Sequence, residues 1–210
     1  MTVILTGFEP FANYDTNPSA QLIEWFRPQA QELDITCMTL PVSAQEIPRL
    51  VGEMLARKPQ AVIALGLGSG AAIRIERVAV NLADFRIPDA SQDQPVDQSI
   101  AAQGPNAYFS TLPVREITDQ LLAQGIPATL SNTAGTYLCN MLLYSLLHAT
   151  HGSRVPVGFV HLPQTPEMVA RQLQRKPTDA IAPSMSLELM QQAVATILQV
   201  TKRFLEKPTE

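Results

Sequence analysis

The chain has 210 residues, 46% apolar, 6% aromatic and 16% charged, with a formal net charge of −4. At about 150 residues per domain this is one domain, spanning 1–210, and a chain this size buries roughly 70% of its unfolded surface without needing disulfides or metal. The low charged fraction excludes a disordered chain, and the slightly acidic balance gives no electrostatic reason to bind nucleic acid or an anionic membrane.

Apolar runs alternate with amphipathic stretches along the chain. Val3–Thr6 reads as a buried strand ended by Gly7. Asn17-Pro18-Ser19 is a helix start, with Leu22, Ile23, Trp25 and Phe26 on a broad apolar face. Ile35–Leu40 is a second strand. Ser43 and Glu46 have capping-box spacing for a helix to about Ala56 that tolerates Pro48 in its first turn. Ala61–Leu65 is a third strand. Continuous apolar strands of this kind imply parallel pairing with helices on both faces.

The rhythm then breaks. Ile73–Leu82 alternates, as expected of a strand exposed on one side, a pattern that also suits a hairpin. Asp84–Tyr108 has no periodicity, and an irregular segment of that length inside a domain is usually functional. Pro113–Gln124 is a helix, Ala128–Leu130 a strand, Thr136–His148 a strongly apolar helix and Val155–Leu162 a strand. Helical stretches near Pro166–Gln174 and Leu187–Leu205 follow. The expected architecture is a three-layer α/β/α sandwich around a mainly parallel, mixed sheet.

Cys139 follows a small polar turn at the start of an apolar helix. There the unpaired N–H groups and the positive end of the dipole favour an anion. A buried structural cysteine fits the same pattern, and Cys37, in mid-strand, reads as core. A thiolate nucleophile needs a base. His148 is nine residues along the same helix, about 900° of rotation and roughly 13 Å away, and His151 is farther still. His161 closes an apolar strand, at the strand end where such folds place their sites. For the acid that orients it, Glu76, Glu9, Asp84 and Asp89 all remain open. Gly66-Leu67-Gly68-Ser69-Gly70 lacks the spacing of a phosphate loop and reads as a flexible turn lining the site. No metal-ligand spacing occurs, and no cofactor is implied. Two cysteines make no disulfide framework. With no basic region or cleavage-type sequence near Met1 and no membrane-length apolar run, the expectation is a cytoplasmic protein.

Taken together, these residues resemble the pyroglutamyl peptidase I family of cysteine peptidases. The resemblance rests on Thr6–Phe11 with Asn17-Pro18-Ser19, Ile75–Asn81, Arg86–Asp89, Gly104–Pro113, Ser131–Asn140 and Gly158–Pro163. It implies a homotetrameric cytoplasmic thiol protease that removes an N-terminal pyroglutamyl group from a blocked peptide substrate through a thioester. By the same resemblance Cys139 is the nucleophile, His161 the base and Glu76 the orienting acid. Phe8 and Phe11 clasp the ring, Tyr137 and Leu138 line the pocket, and Asn17 and Arg86 are recurrent polar positions. Three features depart from the pattern. Leu67 stands where the family usually has a substrate-facing Gln, the loop before Glu76 is one residue short, and Arg74 replaces the usual Ser or Thr. They leave two alternatives open: a divergent member that binds a small ligand without turnover, and an amidase acting on another small amide.

Overall fold

The computed structural model describes residues 2–178 and 180–207. Its main sheet has six strands in the order β2-β1-β3-β8-β4-β7. These are β1 (Val3–Phe8), β2 (Ile35–Leu40), β3 (Ala61–Leu67), β4 (Ile73–Glu76), β7 (Ala128–Ser131) and β8 (Val157–Leu162). All neighbours run parallel except β4 and β8, which are antiparallel. The short strands β5 (Val78–Val80) and β6 (Ala107–Phe109) form a separate antiparallel pair.

The side-chain period of two splits β1, β2, β3 and β8 between two cores. Val3 and Leu5 of β1 and Val160 of β8 pack with α1 (Pro18–Phe26), α3 (Val114–Ala123) and α6 (Leu187–Glu206). Ile4, Phe8, Ala64 and Phe159 face the other way, onto α2 (Ile47–Ala56) and α4 (Leu138–Ala149). Helix α5 (Pro166–Arg175) follows β8 and buries Met168 and Val169. This is the expected α/β/α arrangement.

Several boundaries differ for identifiable reasons. Strand β1 runs through Gly7 to Phe8, because the glycine serves a close approach of α1: a Cβ there would lie 2.5 Å from Ser19 O. Ser19 Oγ also accepts from Phe8 N at 3.0 Å. Trp25 is 41% exposed and does not share the buried face. It lies two residues, about 200° of rotation, from buried Ile23. The capping box at α2 is not made. Instead Ser43 Oγ meets Ser91 Oγ at 2.8 Å, and the buried Asp89 carboxylate accepts from Ala44 N at 2.7 Å. The alternating run is two strands. Ile73–Glu76 belongs to the main sheet, where Glu76 is wholly buried, and Val78–Val80 leaves it to pair with β6.

The irregular segment after β5 is held by polar side chains. Asp89 also accepts from Ser91 N and Asp93 N, at 2.8 and 2.9 Å. Asn81 Nδ2 donates to Ala101 O and its Oδ1 accepts from Ala101 N. On α4, buried Asn140 accepts from Val80 N and donates to Val80 O and Leu82 O. Tyr144 Oη donates to Pro105 O at 2.7 Å, over Gly104, whose Cβ would otherwise clash with that hydroxyl.

Removing the Asp89 carboxylate strands three backbone donors. Asp89→Ala should lower the unfolding free energy by about 2–4 kcal/mol. Urea denaturation measures this, together with faster hydrogen exchange at the Ser91 and Asp93 amides. A loss below about 0.5 kcal/mol, the range of an ordinary surface change, would contradict the assignment.

Candidate active site

The edge of the sheet formed by the carboxyl ends of β1, β3 and β8 opens into a cavity of about 640 Å³. Cys139 is the second residue of α4, whose N-cap residue Tyr137 makes no side-chain cap bond. The N–H groups of that first turn therefore remain available to an anion beside the sulfur. Gly66 allows the approach of α4 to β3. A Cβ at Gly66 would lie 3.1 Å from Cys139 Sγ and 2.7 Å from Phe159 Cζ. At Gly68 it would lie 2.8 Å from His161 Cβ and 2.9 Å from Arg74 Nη2. The glycine-rich run thus lines the site and is needed for close contact as well as for turning.

His161, on β8, is 5% exposed, and its Nδ1 lies 2.7 Å from Glu76 Oε1. With Glu76 ionised, Nδ1–H donates and Nε2 is left for the sulfur. The antiparallel register pairs Arg74 with His161 and Glu76 with Phe159, so Glu76 lies diagonally below the imidazole on the same face. Burial acts to lower the His161 pKa, but the neighbouring Cys139, as charge and as hydrogen-bond partner, and then Glu76 raise it to about 9. The arrangement therefore favours the protonated imidazole.

The structure brings Cys139, His161 and Glu76 together and separates them from the competing residues. Glu9 is exposed, Asp84 is exposed on the cavity wall, and Asp89 is committed to backbone N–H groups. His148 accepts or donates to Tyr108 Oη at 2.8 Å near the far end of α4, and His151 lies against the same ring. Cys37 is half-buried on β2, where desolvation raises its pKa.

Phe8, Phe11, Asn17, Leu67, Arg86, Tyr137 and Leu138 all line the cavity. Phe11 and Tyr137 are stacked with centroids 6.2 Å apart. Phe85, which sequence reasoning did not single out, braces Tyr137 at 4.4 Å. Tyr137 Oη donates to Pro88 O at 3.3 Å, and burial, then Asp89 and Cys139, push its pKa to about 12, so it stays a donor. Asn17 also caps α1: its Oδ1 accepts from Ser19 N and Oγ, and its Nδ2 donates to Glu9 O. Gln164, also missed, lines the cavity with its Oε1 accepting from Gln172 Nε2. Among the described residues no group of three or more His, Cys, Asp or Glu could hold a metal ion, and no helix is long and apolar enough to cross a membrane.

A cysteine beside a buried His–carboxylate pair, at the head of a helix in an α/β/α fold, is the arrangement of a cysteine hydrolase. The profile of the pyroglutamyl peptidase family matches residues 1–203. The pyrrolidone-carboxylate peptidase of Thermococcus litoralis is 41% identical, over 98% of this chain and 94% of the relative. That of Vibrio parahaemolyticus is 39% identical, over 94% and 91%. The solved pyrrolidone carboxyl peptidase from Thermococcus litoralis superposes with a TM-score of 0.89 at 37% identity, covering 100% of this chain and 96% of that one. A mutant from Pyrococcus furiosus gives 0.87 at 36%, covering 98% and 100%. The chain belongs to the pyroglutamyl peptidase family of cysteine peptidases.

Two outcomes test this geometry. The His161 pKa is raised above its ordinary 6.5, so its contribution to stability is complete below about 6.5 and lost as pH rises through about 9. Cys139→Ala should lower the His161 NMR titration midpoint and flatten the fall in unfolding free energy over that window; an unmoved midpoint would contradict the coupling. Gly66→Ala should displace Cys139 or Phe159 and reduce kcat by about 100-fold, the typical cost of an ångström-scale misplacement.

Proposed function

We propose that the chain hydrolyses the bond after an N-terminal pyroglutamyl residue. The observation that carries the reading is the buried His161–Glu76 pair beside Cys139, at one end of a cavity with aromatic walls, in a chain of this family.

The Cys139 thiolate attacks the carbonyl carbon that follows the lactam ring. First-turn N–H groups of α4 accept the negative charge that develops on its oxygen. As the C–N bond breaks, the His161 imidazolium gives its proton to the departing amine, leaving a thioester on Cys139. Neutral His161 then takes a proton from water, whose oxygen attacks the thioester. Collapse expels the thiolate and releases pyroglutamate, and His161 is again protonated. Throughout, Glu76 holds Nδ1–H and keeps Nε2 aimed at the reacting atoms.

Phe8, Phe11 and Tyr137 supply the flat apolar walls that a neutral five-membered lactam needs. Leu138 closes the wall beside the sulfur, and Arg86 lies at the exposed rim. Leu67 offers no polar partner to the lactam amide, and Asn17 keeps one Nδ2 hydrogen to offer beside its bond to Glu9 O. Gln164 is the remaining side-chain amide among the described lining residues. A cytoplasmic homotetramer is the assembly and location that this reading takes from the family resemblance, with a blocked peptide as the sole partner needed for turnover.

Release of a fluorophore from a pyroglutamyl amide tests the reading. Wild type should turn it over, and Cys139→Ala should lose at least about 10⁴-fold in kcat. Activity that survives this change would overturn the mechanism, while no turnover by wild type would favour ligand binding alone. Leu67→Gln should raise kcat/KM by about 5- to 150-fold, the worth of one buried hydrogen bond restored.

A further inference from the structure

Strand order arranges the cavity floor in a sequence. Phe8 ends β1, Gly66 of β3 lies under the Cys139 sulfur, and His161 stands on β8. Next comes Arg74 on β4, paired in register with His161. Neighbouring strands are about 4.8 Å apart. By strand the row runs from aromatic wall to nucleophile, then base, then Arg74, whose guanidinium leans back across the mouth beside His161 toward Gly68. In the proposed reaction the ring lies against the aromatic wall and the departing amine meets His161. The atoms that follow the amine then continue along the mouth past His161, where that guanidinium lies.

Arg74 is poorly satisfied there. Its Nε is buried without a hydrogen-bond partner, and the nearest carboxylate oxygen, Glu76 Oε1, is 3.8 Å away. No hydrogen bond reaches its guanidinium from any other described residue, and its side chain, 29% exposed, lines the cavity. Glu76 itself is fully buried and bonded to His161, so it does not occupy the solvent-facing side of the fork. A guanidinium in this state suits a carboxylate, which it binds with parallel charge-assisted hydrogen bonds.

We propose that Arg74 is a specificity residue that receives a carboxylate on the leaving side of the substrate. The carboxylate belongs either to the free C-terminus of a single leaving residue or to an acidic side chain on that residue. The α-carboxyl carbon is two bonds from the departing nitrogen, which places it within one strand spacing of His161. This rests on the pyroglutamyl peptidase reading above.

The test compares kcat/KM for pyroglutamyl-alanine, pyroglutamyl-alanine amide and pyroglutamyl-glutamate amide, with wild type, Arg74→Gln and Arg74→Lys. Wild type should prefer at least one anionic substrate over the alanine amide by about tenfold or more, the worth of a charge-assisted hydrogen bond. The preferred one identifies the source of the carboxylate. Arg74→Gln should bring the three substrates to within about twofold. Arg74→Lys should keep part of the preference, and wild type should lose part of it in about 0.5 M salt. Equal loss on all three substrates in Arg74→Gln would overturn the assignment and leave Arg74 as a support for Glu76 alone. So would a wild type indifferent to the carboxylate, a result that requires no variant to fold. Cys139-dependent turnover of the alanine amide keeps the functional reading intact in either case. Its absence for every substrate would remove that reading and this inference together.

Discussion

The site depends on a single antiparallel contact in an otherwise parallel sheet. By running against β8, strand β4 brings Glu76 diagonally beneath His161 and Arg74 directly opposite it. A parallel β4 would carry its first residues at the other end of the sheet, away from the carboxyl edge where Cys139 and His161 meet. The antiparallel insertion also explains the gradient of exposure. Glu76 lies two residues deeper than Arg74 and is sealed, while Arg74 reaches the mouth. A sealed carboxylate is tolerable only with a strong partner, and the 2.7 Å bond to His161 provides one. With Glu76 and Cys139 on either side, the imidazole holds its proton despite its burial.

Helix α4 meets this contact from above, and what holds α4 in place is mostly outside it. Its first turn carries Cys139, the next residue is Asn140, and a turn farther on is Tyr144. Asn140 and Tyr144 grip the irregular segment that follows β5, and Asp89 in that segment grips the start of α2. The segment in turn presents Phe85 to Tyr137 and carries Arg86 into the cavity. Side-chain bonds to backbone groups substitute for secondary structure across a stretch that has almost none. The irregular segment is thus a wall of the site, braced at separate points.

The parts of this that were legible in the sequence share a physical cause. Continuous apolar runs identify buried parallel strands, because both faces must be covered, and β1, β2, β3 and β8 were readable within two residues. The strand break at Arg77 was not legible, since Ile75, Val78 and Val80 are equally apolar and pairing partners are set by distant residues. The capping box failed for a similar reason. Ser43 and Glu46 have the right spacing, but Asp89, forty-five residues away, supplies the acceptor instead. Spacing reports local options; tertiary contacts choose among them.

For the site the division is different. Cys139 and His161 could be argued from the places where helices and strands begin and end. Glu76 could not be separated from Glu9, Asp84 and Asp89 on residue type alone, and the resemblance was needed to favour it. Asn17, singled out by the resemblance, both caps α1 and lines the cavity, since capping a helix and binding a ligand call for the same amide. Gly66 and Gly68 read as part of a flexible turn because a close approach leaves no trace in sequence except the missing side chain. Arg74 shows the converse. As a departure from a pattern it looked like a defect near the orienting acid. Opposite His161, with one side of its guanidinium unclaimed, the same change sets a cation at the cavity mouth beside the imidazole. A substitution beside a reactive group changes what the group can be offered as well as how it is held, and the strand order determines which.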